Sequence, residues 1–179
     1  PLKILLKKNQ IPVELIKQFY IDAEYEELKL EVLLDLYQLI STSQAIIFCN
    51  TIRKVEWLTK SLVDQNFSIT SIHGKMSTKE RSDVVKDFRE GKTRILITTD
   101  LLARGIDIPQ VNLVLNYDLP PNKETYIHRI GRCGRFGKKG IAIALVKLED
   151  QFDVKTLNRM KNFYNMNIEP LPEDIENYL

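Results

Sequence analysis

Short apolar runs and amphipathic stretches alternate along most of this chain. The apolar runs at residues 45–49 and 94–99 are typical of strands that are buried on both faces of a sheet. Residues 67–72, 112–117 and 141–146 predict three further strands. Residues 17–23 alternate between polar and apolar, which predicts an edge strand. The sequence therefore predicts six strands.

The stretches between these strands have the spacing of amphipathic helices. Apolar residues three and four positions apart predict helices over residues 27–40, after residues 51, 77 and 122, and from about 150 to 165. A short helix is predicted after residue 172. Residues that start or end helices flank these stretches: Asn50 and Thr51, Ser77 with Glu80 as a capping box, Gly91 and Asn122.

Strands that alternate with helices in this rhythm form a parallel, doubly wound sheet, because right-handed crossovers place helices on both faces. We therefore expect an α/β fold in a single domain, which suits 179 residues with 44% apolar content. In such sheets, ligands bind beyond the carboxyl ends of the strands. Residues with polar or reactive side chains follow four of the predicted strands there: Asn50 and Thr51, residues 73–75, residues 98–100, and Tyr117 and Asp118.

The composition narrows the classes of function. The net charge is +2, from 26 Lys and Arg against 24 Asp and Glu, so any basic site must be local. Cys49 and Cys133 have no Cys-x-x-Cys partner, which argues against a disulfide framework or a zinc site, and His73 and His128 lack metal-ligand spacing. Because no apolar run reaches membrane-spanning length and no signal peptide opens the chain, we expect a soluble intracellular protein. The start at Pro1 suggests a piece of something longer.

Residues 128–137 are the most unusual stretch of the chain. They place Arg129, Arg132 and Arg135 at every third position among three glycines. The planar fork of arginine matches phosphate oxygens, and glycine lets backbone approach a ligand, so the stretch is either a phosphate-binding element or a basic solvated turn. The glycine spacing is not that of a dinucleotide fingerprint, and residues 91–93 lack the upstream glycine of a phosphate-binding loop.

Four ordered motifs resemble those of the second RecA-like domain of DEAD-box RNA helicases. Residues 45–58 resemble motif IV of that family, residues 77–91 motif IVa, residues 98–107 motif V and residues 128–135 motif VI. The resemblance covers essentially the whole chain, and it is greatest to the group of translation initiation factor four-A and its exon-junction relative. It implies a RecA-like sheet flanked by helices, with an N-terminal ATP-binding domain outside this chain. Lys75 and Cys133 depart from the family's usual residues.

The resemblance implies that the chain supplies one wall of an ATP site. Arg132 and Arg135 are expected to contact the γ-phosphate as arginine fingers. Asp107 is expected to accept hydrogen bonds from the ribose, or else to pair with Arg104. His128 is expected to bridge to the N-terminal domain, with a structural histidine as the alternative. Mg²⁺ accompanies ATP, and its ligands and the phosphate-binding loop are expected in the N-terminal domain.

RNA is the second ligand that the resemblance implies. Helix starts at Thr51 and Ser77 offer backbone N–H groups that suit phosphate oxygens. Contacts of this kind ignore base identity, while contacts to 2′-hydroxyls favour RNA over DNA. The residues expected to contact the sugar-phosphate chain are Asn50, Thr51, Arg53, Gly74, Arg81 and Thr99.

The whole protein is therefore expected to be an ATP-dependent RNA helicase, and this chain alone is expected to be inactive. We expect a monomer that acts in translation initiation in the cytoplasm, with initiation scaffold proteins as partners. The alternatives are a nuclear exon-junction helicase, a ribosome-assembly helicase, and a non-catalytic RNA- or protein-binding adaptor. A DEAH-type motor or a DNA translocase is disfavoured, because His128 rather than glutamine opens the arginine motif.

Two further residues of that motif carry expectations of their own. Arg129 is expected to be structural or to contact the other domain. Cys133 lies between two arginines, so its thiol pKa is expected to be lowered.

Overall fold

A parallel seven-stranded sheet is the centre of the part of the chain that the structure describes. The structure is a computed structural model, and it describes residues 15–36, 44–100, 109–134, 140–163 and 166–178. The spatial order of the strands is β3-β4-β2-β5-β6-β1-β7, and every pairing is parallel. The predicted α/β fold is confirmed. In chain order the strands are β1 (Lys17–Asp22), β2 (Ala45–Phe48), β3 (Ile69–Ile72), β4 (Ile95–Thr98), β5 (Leu113–Asn116), β6 (Ile141–Val146) and β7 (Ile168–Pro170).

Helices cover both faces of this sheet. The strand residues alternate between two core layers, so that Ile47 faces one layer while Ile46 and Phe48 face the other. Helices α1 and α2 belong to the layer of Ile47, and α3, α4 and α5 belong to the opposite layer. The helices of the described residues are α1 (Lys29–Asp35), α2 (Ile52–Val63), α3 (Thr78–Arg89), α4 (Lys123–Ile130) and α5 (Gln151–Phe163), with 3₁₀ turns at Glu26–Leu28 and Ile175–Tyr178.

The predicted helix ends are confirmed at several positions. Thr51 and Asn122 each accept a hydrogen bond from the backbone N–H three residues ahead, at 3.1 and 2.8 Å. Ser77 and Glu80 form the predicted capping box at the start of α3, with bonds of 3.1 and 3.0 Å. Gly91 follows α3 with φ at 77°, a conformation that favours glycine. Local sequence chemistry therefore sets where α2, α3 and α4 begin.

The prediction of β1 as an edge strand is wrong, because β6 and β7 flank it on either side. The edge position was predicted because Gln18 is polar, which made the sequence resemble a strand with one exposed face. In the structure Gln18 is 5% exposed, and its side-chain oxygen accepts a hydrogen bond from the Tyr126 hydroxyl at 2.7 Å. The edge strand next to β1 is β7, which has only three residues with one of them buried, so its sequence carries no periodic signal.

Three predicted helices differ at their ends. The stretch 27–40 forms a 3₁₀ turn followed by α1, which ends at Asp35, and residues 37–43 lie outside the described part. The stretch after residue 150 forms α5, and residues 164–165 are likewise not described. The last predicted helix is a 3₁₀ turn. None of the described helices is both long and apolar enough to cross a membrane.

Candidate functional site

Three strands at the middle of the sheet end side by side, because β2 pairs with both β4 and β5. A polar residue lies just beyond each of these ends, and α4 lies close to all three. We call the resulting hydrogen-bonded group the strand-end network. Its members are Asn50 beyond β2, Asp100 beyond β4, Asn116 and Asp118 at the end of β5, and Arg129 on α4.

Arg129 is the centre of the strand-end network and is 1% exposed. Its Nε and Nη2 atoms donate to the two carboxylate oxygens of Asp100, at 2.7 and 2.8 Å. Nη2 also donates to Asn50 Oδ1 at 2.6 Å. Nη1 donates to Asn116 Oδ1 at 3.2 Å and to the carbonyl oxygen of Asp118 at 2.7 Å. Since all five N–H donors of the guanidinium are used within the domain, the geometry favours the structural role for Arg129.

Asn50 uses both ends of its side-chain amide inside the protein. Oδ1 accepts from Arg129, and Nδ2 donates to the carbonyl oxygen of Leu119 at 2.8 Å. The backbone N–H of Asn50 donates to Asp118 Oδ2 at 2.9 Å. The side chain that was expected to contact RNA therefore holds the start of α2 against the end of β5.

A group of lysines and carboxylates continues from Asp118 along the same edge. Lys54 donates to Asp118 Oδ1 at 3.1 Å and contacts Glu26, and Lys29 lies 3.5 Å from the same Asp118 oxygen. Lys29 and Lys147 lie 3.0 and 3.4 Å from Glu26 Oε2. Burial alone would raise the pKa of Glu26, but hydrogen bonds and charge from Lys54 and Lys29 outweigh it and lower the pKa to about 2. These five residues form the lysine-carboxylate cluster.

The residues predicted to contact RNA follow three strands that are adjacent in the sheet. Thr51 and Arg53 are exposed, whereas Gly74, Arg81 and Thr99 are half-buried. The structure therefore brings all of them to one edge of the sheet, around the starts of α2 and α3. Asn50, Thr51 and Arg53 follow β2, Thr99 follows β4, and Gly74 and Arg81 follow β3.

Two of the residues predicted to contact ATP, His128 and Arg132, lie at and just beyond the end of α4, which follows β5. His128 is exposed on the last turn of that helix. Arg132 is 2% exposed, so contact with a nucleotide requires its guanidinium to be uncovered. Asp107, with its alternative partner Arg104, and Arg135 lie outside the described residues.

The backbone around Arg132 is held by a short parallel bridge between Val111 and Cys133. The Val111 N–H donates to the Arg132 carbonyl at 2.9 Å, and the Gly134 N–H donates to the Val111 carbonyl at 2.6 Å. Gly140 lies against the same segment, and a Cβ at that position would lie 2.4 Å from Cys133 Cβ. This close approach requires glycine, and the bridge fixes the main chain on both sides of Arg132.

The prediction of a lowered pKa for the Cys133 thiol is wrong. Cys133 is 0% exposed, and its Sγ donates to the Ile141 carbonyl oxygen at 3.2 Å. Burial raises the thiol pKa well above its ordinary value, and a backbone hydrogen bond at Val114 lowers it by less. Burial, with the charge of Asp118, likewise raises the pKa of Cys49 to about 12. Both thiols are therefore protonated at neutral pH.

Sequence reasoning placed polar residues at the strand ends but missed which of them pair. Asp100 and Arg129 are 29 positions apart, and Lys29 and Asp118 are 89 positions apart. Pairs so distant in sequence leave no mark in a hydrophobic pattern. The available signal was an acidic residue directly beyond a buried strand, which occurs at both Asp100 and Asp118.

The chain matches known helicases in sequence and in structure. The family described as helicase conserved C-terminal domain matches residues 28–137. The chain is 53% identical over 175 residues to ATP-dependent RNA helicase eIF4A of Schizosaccharomyces pombe, which covers 98% of this chain and 44% of that protein. It is 50% identical over 179 residues to ATP-dependent RNA helicase FAL1 of Mycosarcoma maydis, with coverages of 100% and 44%.

Among solved structures, Dbp5 of S. cerevisiae bound to RNA and ADP BeF3 matches with a TM-score of 0.82 and 40% identity, over 96% of this chain and 45% of that one. The chain thus spans less than half the length of these relatives. The four motifs, the parallel sheet and the matches agree. The chain belongs to the DEAD-box RNA helicases and corresponds to their C-terminal RecA-like domain.

Proposed function

We propose that this chain is the half of an ATP-dependent RNA helicase that binds the RNA backbone and supplies arginines to ATP when an ATP-binding domain closes on it. One observation carries this proposal. The predicted RNA contacts follow β2, β3 and β4, and the arginine-bearing helix α4 follows β5, which is the other neighbour of β2. Helix α4 begins just beyond β5, and its Arg129 side chain bonds Asn50 and Asp100 beyond β2 and β4, at the edge where parallel sheets bind ligands.

On the ATP side, Arg132 and Arg135 would stabilise the charge that spreads over the transferring phosphoryl group. An arginine supplied at that position accelerates turnover by about 10³–10⁵-fold. His128, exposed on α4, would contact the ATP-binding domain, and Asp107 would accept hydrogen bonds from the ribose. The bridge between Val111 and Cys133 supports this role for Arg132, because it holds the backbone next to that residue in a fixed place.

We assign the phosphate-binding loop and the Mg²⁺ ligands to the other domain. Among the described residues, no three His, Cys, Asp or Glu side chains come together as a metal site requires. Mg²⁺ bound there would neutralise charge on the β- and γ-phosphates. The task left to this chain is to orient Arg132 and Arg135 and to exclude water from their side of the cleft.

On the RNA side, the chain would run past the N-terminal turns of α2 and α3. These helix starts present N–H groups and a positive dipole end to phosphate oxygens, so a domain with a net charge of +2 can bind a polyanion. The matching Dbp5 structure is bound to RNA, which supports this assignment. The proposed contacts are Thr51, Arg53, Gly74, Arg81 and Thr99, while the side chain of Asn50 is already bonded to Arg129 and to the Leu119 carbonyl.

For the pathway, we favour translation initiation in the cytoplasm, because the relative with 53% identity is an eIF4A. The 50% identity to the ATP-dependent RNA helicase FAL1 keeps the alternative that the chain belongs to a helicase of the same family with another role, such as exon-junction or ribosome assembly. The proteins recovered with the whole helicase would separate the two. If the helicase acts in translation initiation, we expect initiation scaffold proteins to be recovered with it.

The proposal is tested with this chain alone and with the same chain preceded by its ATP-binding domain, which we call the two-domain protein. We expect no ATP hydrolysis from the chain alone and RNA-stimulated hydrolysis from the two-domain protein. Arg132→Lys replaces a bidentate fork with a point charge, so turnover should fall by roughly 10³-fold or more. ATP binding, measured by fluorescence titration, should change only a few-fold.

Arg159→Lys is the matched control, because Arg159 is exposed on α5 and is not among the predicted site residues. It should leave both turnover and ATP binding at the wild-type level. Hydrolysis by the chain alone would contradict the proposed division between domains. An equal loss of ATP binding and turnover in Arg132→Lys would contradict the finger role.

A further inference from the structure

Helix α2, which starts after the proposed RNA contact Thr51, and helix α4, which ends before Arg132, lie on opposite faces of the sheet. Helix α2 packs through Val55 and Leu58 in one core layer, and α4 packs through Tyr126 and Ile127 in the other. The strands between them, β2 and β5, are buried on both faces. The contact that joins the start of α2 to α4 therefore runs around the carboxyl edge of the sheet and not through its core.

That contact is a closed ring of three residues. Asn50 Oδ1 accepts from Arg129 at 2.6 Å, the other terminal nitrogen of Arg129 donates to the Asp118 carbonyl at 2.7 Å, and an Asp118 carboxylate oxygen accepts from the Asn50 N–H at 2.9 Å. The Asn50 amide also donates to the Leu119 carbonyl at 2.8 Å. Three of these bonds tie Asn50, the residue before the α2 cap, to the end of β5 and to α4.

We propose that Asn50 is a positioning residue that transmits RNA binding at the start of α2 to Arg132, just beyond the end of α4, through its bond to Arg129. The inference rests on the proposed function and adds to it a route between the two ligands. Asn50 itself touches neither RNA nor ATP in this proposal. Its neighbour Thr51 meets the RNA backbone, and Arg129 is three residues before Arg132.

The geometry explains why a small movement would be transmitted. Arg129 is buried with every donor satisfied, so a shift of Asn50 either carries the guanidinium with it or leaves a buried donor without its acceptor. The Arg129 carbonyl in turn accepts from the Arg132 N–H at 3.2 Å. A displacement at Thr51 therefore reaches the backbone of Arg132 through the side chains of Asn50 and Arg129 and one turn of the chain.

The chemistry of the position requires an amide. The Asn50 side chain must accept a hydrogen bond from Arg129 and donate one to the Leu119 carbonyl at the same time. Asn50→Asp keeps the acceptor but places a carboxylate against that carbonyl oxygen. Asn50→Ala loses both bonds while leaving the Thr51 cap of α2 intact.

The test compares Asn50→Ala, Asn50→Asp and Thr51→Ala in the two-domain protein. RNA affinity is measured by fluorescence anisotropy without nucleotide and with ADP–beryllium fluoride as an ATP analogue. For both Asn50 variants we expect nucleotide-free RNA affinity within about 3-fold of wild type, and nucleotide-induced tightening reduced by roughly 10-fold, as the loss of a coupling contact predicts. Thr51→Ala should weaken RNA binding equally in both conditions.

Thermal unfolding of each variant shows whether Asn50 only stabilises the fold. The control is Asn158→Ala, at an exposed position on α5. If Asn50→Ala weakens RNA binding equally with and without nucleotide, as Thr51→Ala does, Asn50 is a direct contact and the inference is overturned. Unchanged tightening overturns it as well. A wild-type protein with no nucleotide-dependent RNA binding and no RNA-stimulated hydrolysis would instead refute the proposed function.

A second measurement needs no ligand. In this chain alone, Asn50→Ala should speed amide hydrogen exchange both at the first turn of α2 and at Gly131 and Arg132, because the bonds that join the two segments are lost. Exchange that changes only around α2 would show that the segments are independent, and would overturn the inference whatever the helicase activity proves to be.

Discussion

Arg129 occupies a position that only an arginine can fill. Its buried guanidinium meets five acceptors from four residues, and two of these are the oxygens of a single carboxylate, Asp100. A lysine at the same position has three N–H donors on one atom and no fork. The residue's value to the domain lies in the number and direction of its donors as much as in its charge.

Arg129→Lys should therefore destabilise the domain by about 2–4 kcal/mol, since buried acceptors lose their partners while a buried charge remains. The free energy of unfolding from urea titration of this chain measures the effect. Arg159→Lys on the exposed face of α5 should change that free energy by less than about 0.5 kcal/mol. Equal stability of the two variants would contradict the account of the strand-end network.

At the scale of the elements, Glu26 joins the ends of elements whose apolar residues share one core layer. It lies just after β1 and contacts lysines at the start of α1, in the first turn of α2 and just beyond β6. Glu26 thus connects four elements at their ends, and Asp118 adds the end of β5 to the lysine-carboxylate cluster. Its contribution depends on the ionised form of Glu26.

The pKa of Glu26 is lowered in the folded protein from 4.5 to about 2, so its ionised form is the one that the fold stabilises. That stabilisation is fully present above about pH 4.5, and it is lost as the pH falls from there toward 2. Glu26→Gln should therefore weaken the dependence of stability on pH within this window. Urea titrations between pH 2 and 7 measure this, with the exposed Glu27→Gln as control.

If Glu26→Gln and wild type lose stability in parallel between pH 4.5 and 2, the cluster does not act as described. If Glu27→Gln weakens the pH dependence of stability as much as Glu26→Gln does, the effect comes from the change in net charge and not from the cluster. The comparison is made at constant ionic strength, because half-exposed charges are screened by salt.

The elements also show what a sequence can and cannot predict. β6 is predicted to the residue because all six of its side chains are apolar and buried, and α3 is placed by its own capping box. β1 was predicted at the right residues but wrongly as an edge strand, because Gln18 is buried with a hydrogen bond from another element. For the site, motif residues such as His128 and Arg132 were named correctly as members of α4 and its end, but the pairing of Asn50 with Arg129 depends on distant segments and has no local signal.

At the scale of the whole molecule, the proposed RNA surface combines helix starts with a few basic side chains on a domain of net charge +2. Such a surface contacts phosphates and sugars and does not read bases. We expect the two-domain protein to bind single-stranded RNAs of different sequence with affinities within about 3-fold, and DNA of the same sequence about 10-fold or more weaker. Anisotropy titrations at one salt concentration measure both comparisons.

A preference of tenfold or more among RNA sequences would contradict the backbone surface, and equal binding of DNA would contradict contacts to the 2′-hydroxyl. Arg53→Ala should lower affinity for all RNAs by a similar factor, because Arg53 is exposed in the first turn of α2. Arg159→Ala, which removes the same charge from another face, is the matched control.

The position of β1 between β6 and β7 has a consequence for how the domain forms on the ribosome. Lys17 in β1 and Leu113 in β5 both pair with Ile141, the first residue of β6. As synthesis proceeds from the N-terminus, β1 cannot pair with β6 and β7 until nearly the whole domain has been made. Such distant pairings slow folding. A nascent chain stopped before β6 leaves β1 and β5 with open edges, so truncated products should aggregate and need chaperones.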